Sequence, residues 1–280
     1  MTKKEKIIAG VIGDPISHSL SPCLHGYWLS KYNINGEYKA FHVTSAELPS
    51  FIKSLNEKSI SGINVTVPHK EDVLKLVDKV DEKARKIGAV NTVYFEKGKM
   101  IGSNTDGIGF LTHLKQTTKN WKAKNGPVVI IGAGGAARAV LVSLLDDGVP
   151  EVRLTNRTKE RAENLKKEID DKRIRVIDWD AREDALDVAA LVVNVTTLGM
   201  TGQRPLELSL DNLPKNASVY DIVYSPLETE LLKNARNRGN ETIDGLGMLL
   251  HQAVPGFQKW FGVDPNVDQG LRDHILKALS

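Results

Sequence analysis

Residues 128–140 read VVIIGAGGAARAV, and the fold of the chain can be worked out from this stretch. The four apolar residues at its start have the length and branching of a buried strand, and a glycine-rich turn follows them. The turn matches the pattern G-x-G-x-x-A. Gly132 permits a tight turn, Gly134 lets the backbone approach a pyrophosphate, and Ala137 allows the next helix to pack closely on the strand. The stretch therefore predicts a strand, a phosphate-binding turn and the start of a helix.

Strand-like and helix-like segments alternate on both sides of this turn, which is typical of an α/β fold with mostly parallel strands. After residue 107 we predict further strands at 151–156, 173–178, 190–197, 218–224 and 241–245. Before it we predict strands at 6–13, 37–43 and 62–67, helices at 21–33, 45–58, 69–78 and 82–89, and a hairpin over 91–107 that turns near Lys97 and Gly98. Two helices, within 246–262 and 267–279, end the chain.

The composition is that of an ordinary globular protein. Of the 280 residues, 41% are hydrophobic and 26% charged, and the net charge of +3 is spread among interspersed acids and bases. This distribution favours a mixed solvated surface over a nucleic-acid patch, and it suits a small anionic substrate. No apolar run approaches the roughly 18 residues of a membrane span. Cys23 is the single cysteine, so we expect no disulfide and a cytoplasmic protein without membrane or nucleic-acid partners. We assign no metal site.

The end of the strand after the glycine turn discriminates between the two nicotinamide cofactors. An NAD site carries Asp or Glu there, which accepts hydrogen bonds from the ribose 2′-hydroxyl. This chain instead has Asn156, Arg157 and Thr158, with Arg161 four residues after Arg157. Guanidinium groups match the charge and geometry of a phosphate, whereas a carboxylate would repel one. The run therefore predicts NADP as the cofactor.

A lysine stands just past another predicted strand. Residues 64–71 read NVTVPHKE, in which Pro68 ends the strand and Lys70 follows. Asp106 lies in SNTDG (103–107), just before the glycine-rich part of the chain. If both segments open on one crevice, Lys70 and Asp106 are neighbours, and such a pair can work as an acid–base unit. Spacing alone leaves the alternative that both are surface ions.

The segment ISHSLSP (16–22) supplies a third candidate element after the first strand. The hydroxyl groups of Ser17 and Ser19, with the N–H groups of the turn, can hold a substrate carboxylate. Ser21 stands before Pro22, and this order predicts Ser21 as the N-cap of the first helix.

With these motifs in place, the chain resembles the shikimate dehydrogenase family, which reduces 3-dehydroshikimate with NADPH. The resemblance runs from Gly13 to about Gly262. It rests on motifs that occur in the family's order, namely ISHSLSP, NVTVPHK, GAVNT (88–92), SNTDG, GAGGAARA, NRTKERA, NVTTLGM (194–200), YDIVYSP and GLGMLLHQA (245–253).

The resemblance implies a role for each residue that falls on a motif. Lys70 is similar to the family's catalytic lysine, and Asp106 to its partner carboxylate. Ser17 and Ser19 are similar to the pair that holds the substrate carboxylate. Further substrate contacts are implied for Asn64, Thr66, Asn91, Tyr224 and Gln252. Cofactor contacts are implied for Gly132, Ala133, Gly134, Gly135, Ala136, Asn156, Arg157, Thr158, Arg161, Ile222 and Gly245, the last two beside the nicotinamide.

The resemblance also implies an inserted domain. The final helices return to the first domain, so residues 1–106 and 244–280 form an α/β substrate-binding domain and residues 107–243 a doubly wound, Rossmann-type NADP domain. The implied activity is the reversible reduction of 3-dehydroshikimate to shikimate, which leads to chorismate and the aromatic amino acids. Family members occur as monomers and dimers, and we favour a homodimer.

Two alternatives stay open. The first is a quinate/shikimate dehydrogenase that uses NAD, against which the run 156–158 and Ser17 argue. The second is a non-catalytic NADP-binding sensor, which would have no reason to keep Lys70, Asp106 and the serine pair together.

Overall fold

The structure, a computed structural model, describes residues 6–119 and 121–279 and divides into two compact units. The first unit comprises the residues up to Thr105 together with those from Leu250 onward, and the second runs from Asp106 to Leu249. The chain therefore leaves the first unit once and returns to it. The second unit begins at residue 106 and ends at residue 249, whereas the inserted domain was predicted to begin at 107 and end at 243. The substrate and cofactor roles of the two units stay predictions.

A six-stranded mixed sheet forms the centre of the first unit. Its strands are β1 (Ile7–Gly13), β2 (Gly36–His42), β3 (Ile60–Val65), β4 (Lys79–Val80), β5 (Thr92–Glu96) and β6 (Lys99–Ser103). Their order is β2-β1-β3-β5-β6-β4, and all neighbours are parallel except β5, which is antiparallel to both β3 and β6. The helices between these strands are α1 (Ser21–Lys31), α2 (Leu48–Ser54) and α3 (Glu82–Ile87).

The second unit is a doubly wound sheet of six parallel strands. Its elements are α4 (Asp106–Thr117), β7 (Val128–Ile131), α5 (Gly135–Asp147), β8 (Val152–Thr155), α6 (Lys159–Ile169), β9 (Ile174–Ile177), β10 (Leu191–Asn194), β11 (Ser218–Asp221), α7 (Glu230–Arg238) and β12 (Glu241–Ile243). The strand order β12-β11-β10-β7-β8-β9 is that of the Rossmann fold. The predicted fold class is therefore confirmed.

The chain ends with α8 (Leu246–Phe261) and α9 (Gln269–Leu279). The division between the units falls within α8, so its last turns and all of α9 belong to the first unit. Over residues 6–119 and 121–279, no helix combines the length and apolar character needed to cross a membrane.

Alternating side chains of the second sheet fill two cores. One core receives Val128, Ile130, Leu191, Val193 and Tyr220, and the other receives Val129, Ile131, Val192 and Val219. Because a parallel sheet is covered on both faces, its strands read as continuous apolar runs rather than as alternating ones.

Two of the predicted strands in this sheet end three residues earlier than expected. The predictions ran to 197 and 224, whereas β10 ends at Asn194 and β11 at Asp221. The Oδ1 atom of Asn194 accepts a hydrogen bond from Thr196 N, and that of Asp221 accepts one from Val223 N, both at 3.0 Å. Such bonds turn the backbone out of the sheet two residues after the polar side chain.

The predicted helix over 69–78 is wrong, because tertiary contacts take the groups that it would need. Only Val73–Lys75 form a short 3₁₀ helix. His69 is buried, with its Nε2 2.6 Å from Val43 O, and Lys70 O accepts a hydrogen bond from Val90 N at 2.7 Å. The predicted hairpin is confirmed, with its turn at Lys97 and Gly98.

The predicted N-cap of α1 is also wrong, by one residue. Ser21 is the first helical residue, and Leu20 stands at the N-cap without a side-chain bond. Ser19 Oγ accepts a hydrogen bond from Ser21 N at 3.3 Å, so the cap oxygen comes from two residues upstream.

The returning chain is anchored on the first sheet by a tryptophan. Trp260 Nε1 donates a hydrogen bond to Val93 O at 2.9 Å. Its indole lies against Gly62, where a Cβ would come 2.1 Å from Trp260 Nε1 and 2.3 Å from Val93 O. The absence of a side chain at Gly62 therefore makes room for the ring.

We expect Gly62→Ala to lower the free energy of unfolding by about 3 kcal/mol, because the added methyl group overpacks a buried contact. Urea unfolding followed by circular dichroism measures this. Gly26→Ala on α1 is the control, since a Cβ there meets no described atom within 4 Å. Alanine favours a helix over glycine by up to about 1 kcal/mol, so the control should be neutral or stabilising. Equal losses for the two variants would contradict the packing argument.

Candidate functional site

The glycine turn lies at the carboxyl edge of the second sheet, where the strand order reverses between β7 and its neighbours. Doubly wound sheets bind their ligands at this point. Gly132 has φ +116°, a conformation that glycine adopts readily, and a Cβ there would come 2.8 Å from Thr196 Cγ2. Gly132 is therefore required by the turn itself.

Gly134 and Gly135 are not required by packing. A Cβ at either position would meet no described atom within 4 Å. Gly134 is the N-cap of α5, a helix of 13 residues, whose first N–H groups and positive dipole end attract an anion. Open space above such a helix start fits the pyrophosphate of a dinucleotide.

The loop after β8 is bonded to this turn. Asn156 Oδ1 accepts a hydrogen bond from Ala133 N at 3.2 Å, and Asn156 Nδ2 donates one to Thr158 O at 2.8 Å. The structure thus brings together the two segments that the sequence assigned to NADP. Arg161 N in turn donates to Thr158 O at 3.1 Å, which places α6 directly after the loop.

The two arginines of this loop have the character expected of a phosphate site. Arg157 and Arg161 are exposed, and neither forms an ion pair within the described part of the chain. Lys159 differs, because its Nζ lies 2.7 Å from Asp178 Oδ1. Two unengaged guanidinium groups beside the glycine turn fit the extra phosphate of NADP better than the ribose hydroxyl of NAD.

Ile222 and Gly245, the predicted neighbours of the nicotinamide, lie side by side after β11 and β12. A Cβ at Gly245 would come 2.1 Å from Ile222 O, and Gly245 N donates a hydrogen bond to Val223 O at 3.2 Å. Tyr224 follows two residues later and is half-buried, and burial raises the pKa of its phenol. These three predicted residues share one edge of the second unit.

A buried carboxylate beside them was missed by the sequence reasoning. Asp221 is fully buried, and burial raises its pKa to about 6, against the opposing effect of hydrogen bonds from Thr229, Val223 and Asn194. The available signal was a polar residue that ends an otherwise apolar strand, since Asn194 and Asp221 are the last residues of β10 and β11.

In the first unit, the loops after β1 and β3 are neighbours because these strands are parallel. Asp14 N donates a hydrogen bond to Val67 O at 3.1 Å, and Thr66 N donates one to Ile12 O at 3.0 Å. Ser17 is exposed and Ser19 half-buried in the first loop, and Lys70 is half-buried after the second. The structure thus places these predicted residues at one edge of the sheet.

A buried polar network joins three further predicted residues, Asn64, Asn91 and Gln252. Asn64 Nδ2 donates hydrogen bonds to Asn91 O at 3.2 Å and to Thr92 Oγ1 at 3.1 Å. Asn91 Nδ2 lies 3.5 Å from Gln252 Oε1. The network also includes Thr105, whose N donates to Asn91 Oδ1 at 2.8 Å and whose Oγ1 donates to Gln252 O at 2.8 Å. Satisfied buried networks hold side chains in single orientations.

Tyr38, Thr92 and Thr105 belong to this network but were not predicted. Tyr38 donates its hydroxyl to Asn64 Oδ1 at 2.6 Å, and burial raises the pKa of that hydroxyl. Thr92 and Thr105 lie inside the motifs GAVNT and SNTDG, which were the available signal, whereas Tyr38 is an ordinary strand residue in sequence.

Asp106 is buried and is the first residue of α4, which places it in the second unit, whereas Lys70 belongs to the first. Their predicted pairing stays a prediction. Among residues 6–119 and 121–279, no group of three or more His, Cys, Asp or Glu side chains could hold a metal ion.

Three family models match the chain in order. They describe the shikimate dehydrogenase substrate-binding domain over residues 11–93, shikimate/quinate 5-dehydrogenase over 113–201, and the shikimate 5′-dehydrogenase C-terminal domain over 245–272.

Curated relatives match over nearly the full length. A shikimate dehydrogenase (NADP(+)) of Paramagnetospirillum magneticum is 52% identical over 270 residues, which cover 96% of this chain and 98% of the relative. A shikimate dehydrogenase (NADP(+)) of a Jannaschia species is 49% identical over 277 residues, which cover 99% of each chain.

Solved structures agree with these relatives. A shikimate dehydrogenase in complex with NADP⁺ has a TM-score of 0.90 at 37% identity, covering 100% of this chain and 98% of its own. A quinate dehydrogenase of Corynebacterium glutamicum in complex with NAD has a TM-score of 0.89 at 33% identity, covering 97% of this chain and 99% of its own. The chain therefore belongs to the shikimate dehydrogenase family.

Proposed function

We propose that this protein is an NADP-dependent shikimate dehydrogenase, which reversibly reduces 3-dehydroshikimate to shikimate. The observation that carries the proposal is the loop after β8, where Arg157 and Arg161 stand beside the glycine turn with no carboxylate at the ribose position. The chain that carries this loop is 49% identical over 277 residues to a relative named shikimate dehydrogenase (NADP(+)). The fold alone does not choose the cofactor, because an NAD-bound quinate dehydrogenase shares it.

The chain offers a place for each part of the cofactor. The N–H groups at the start of α5 hold the pyrophosphate, and Arg157 and Arg161 hold the 2′-phosphate. Thr158 completes that loop, and Ala136 lies in the first turn of α5. Ile222 and Gly245 lie beside the nicotinamide. When bound, NADPH supplies the hydride that reduces the ring ketone.

The proton moves through a side chain of the protein. Lys70 donates a proton to the ketone oxygen as it becomes a hydroxyl, and takes the proton back when shikimate is oxidised. Asp106, as its partner carboxylate, orients the ammonium group. A positioned acid or base of this kind contributes about a hundredfold or more to the rate.

The substrate is held by polar side chains that lie in several of the sequence motifs. Ser17 and Ser19 bind its carboxylate, and Asn64, Thr66, Asn91, Tyr224 and Gln252 bind its hydroxyl groups. The support for this assignment in the first unit is the network that fixes the amides of Asn64 and Asn91. A site built to bond several hydroxyl groups rejects analogues that lack them.

We also infer a homodimer in the cytoplasm. The family resemblance supports the homodimer, and the single cysteine, Cys23, supports the cytoplasmic location.

The direct test of the function is an assay of shikimate and quinate, each with NADP⁺ and with NAD⁺. We expect the highest kcat/KM for shikimate with NADP⁺, because the phosphate contacts exist only with that cofactor. Preference for NAD⁺ or quinate would instead support a quinate/shikimate dehydrogenase. No turnover with any pair would favour a non-catalytic NADP-binding protein.

Lys70→Ala should lower kcat by about a hundredfold or more while the Kd for NADP stays close to normal, because the lost group acts on the substrate. Steady-state kinetics and cofactor fluorescence measure the two quantities. Lys75→Ala is the control, since Lys75 is an exposed lysine of the same unit. Full activity in the Lys70 variant would remove this residue from the mechanism.

Arg157→Ala should weaken NADP binding by about tenfold or more and leave NAD binding almost unchanged, because a charge-assisted hydrogen bond to phosphate is lost. Titration calorimetry with each cofactor measures the difference. Lys159→Ala, which removes a charge paired with Asp178, should affect both cofactors equally. An equal loss for NADP and NAD in the Arg157 variant would refute the phosphate role.

A further inference from the structure

We infer that Asp221 is a positioning residue for the reaction, acting through Thr229, Asn194 and the backbone of residues 222–223. The inference rests on the proposed function, which places Ile222 beside the nicotinamide and Tyr224 against the substrate. Asp221 itself need not touch the substrate or cofactor.

The carboxylate of Asp221 gathers donors from three separate parts of the second unit. Its Oδ1 accepts hydrogen bonds from Asn194 Nδ2 and from Val223 N, both at 3.0 Å, and its Oδ2 accepts one from Thr229 Oγ1 at 2.7 Å. These donors belong to the end of β10, the loop after β11 and the N-cap of α7. One side chain therefore joins all three.

Two of the side chains bonded to the carboxylate, Asn194 and Thr229, form further hydrogen bonds. Asn194 Nδ2 also donates to Leu198 O at 3.0 Å, and Asn194 Oδ1 accepts from Thr196 Oγ1 at 2.7 Å. Thr229 Oγ1 accepts a hydrogen bond from Leu232 N, which caps α7. These hydrogen bonds therefore connect the loop after β10 and the start of α7 to the loop that carries Tyr224.

The backbone at Ile222 and Val223 is held from two sides. On the β10 side, Ile222 N donates to Asn194 O at 3.0 Å and Val223 N donates to Asp221. On the β12 side, Gly245 N donates to Val223 O at 3.2 Å, and Gly245 leaves no room for a side chain against Ile222 O. A shift of this segment would break bonds on both sides.

A second contact holds the far end of the same loop. Thr201 N donates a hydrogen bond to Ser225 O at 2.8 Å. Tyr224 therefore lies between two bonded points of the loop. These bonds restrain the backbone on both sides of Tyr224.

The chemistry explains why this position holds a carboxylate. Burying a carboxylate is unfavourable, as the raised pKa of Asp221 indicates. An ionised carboxylate is acceptor-only, so it can satisfy two N–H donors and one hydroxyl donor at once. An asparagine would turn its amide N–H₂ group toward one set of these donors, and an apolar side chain would leave all three without an acceptor.

The experiment compares Thr229→Val with Thr229→Ser and with Thr118→Val. Valine has the shape of threonine without the hydroxyl, whereas serine keeps the hydroxyl that bonds Asp221. Thr118 is the matched control, because it is also buried in the second unit and its Oγ1 donates to Leu114 O at 2.6 Å, away from this network. The readouts are kcat and KM for shikimate, melting temperature, and the Kd for adenosine 2′,5′-bisphosphate, which probes the arginine loop alone.

We expect Thr229→Val to lower kcat/KM by about tenfold or more, because a small displacement of Ile222 and Tyr224 misplaces the reactants. Its Kd for adenosine 2′,5′-bisphosphate should stay normal, and Thr229→Ser should restore kcat/KM. Thr118→Val should lower the melting temperature without a loss of kcat/KM. Asp221→Asn, where it folds, should reproduce the kinetic loss.

Two results would overturn the inference alone: unchanged kcat/KM in Thr229→Val, or a loss in Thr229→Ser that equals the loss in the valine variant. Either would appear with an active wild-type protein, so the proposed function would survive. An inactive wild-type protein would overturn the proposed function and this inference together.

Discussion

The close approach of a phosphate to the backbone is the constraint on which the second unit depends. A phosphate can be bonded by N–H groups only where no side chain intervenes, and Gly134 and Gly135 keep that space open at the start of α5. The neighbouring strands contribute groups of opposite kinds around it. The loop after β8 carries guanidinium groups, whereas the ends of β10 and β11 carry a buried amide and a buried carboxylate. Charge is therefore exposed at the proposed phosphate site and enclosed where the backbone must be held.

Both units use buried hydrogen-bonded networks to fix groups that the proposed reaction needs. In the first unit, the amide of Asn64 bonds to Asn91 O and the amide of Asn91 bonds to Thr105, so both amide groups have defined orientations. In the second, Asp221 and Asn194 hold a loop instead of a side chain. Unpartnered groups of this kind would destabilise the core, so a network must be complete to be tolerated.

Much of the fold could be predicted from the local sequence pattern, because strands and glycine turns depend on residues that are adjacent in the chain. The six strands of the second sheet were predicted, and the turn from Gly132 was assigned correctly to the carboxyl edge of the first of them. One error arose where distant residues compete for backbone groups. Lys70 O bonds to Val90 N, which replaces the predicted helix over 69–78. The early ends of β10 and β11 have a local cause instead, since the side chains of Asn194 and Asp221 accept the N–H groups two residues later.

The sequence by itself determined most of the elements, the glycine turn and the presence of Arg157 in place of an acid, because each of these depends on residues close together in the chain. Only the tertiary structure decided which polar groups meet. Asp221 contacts Asn194, 27 residues away, and Asn91 contacts Gln252, 161 residues away. No local periodicity encodes such pairs. They follow from strand order and from the return of the last helices, and burial then makes their hydrogen bonds obligatory.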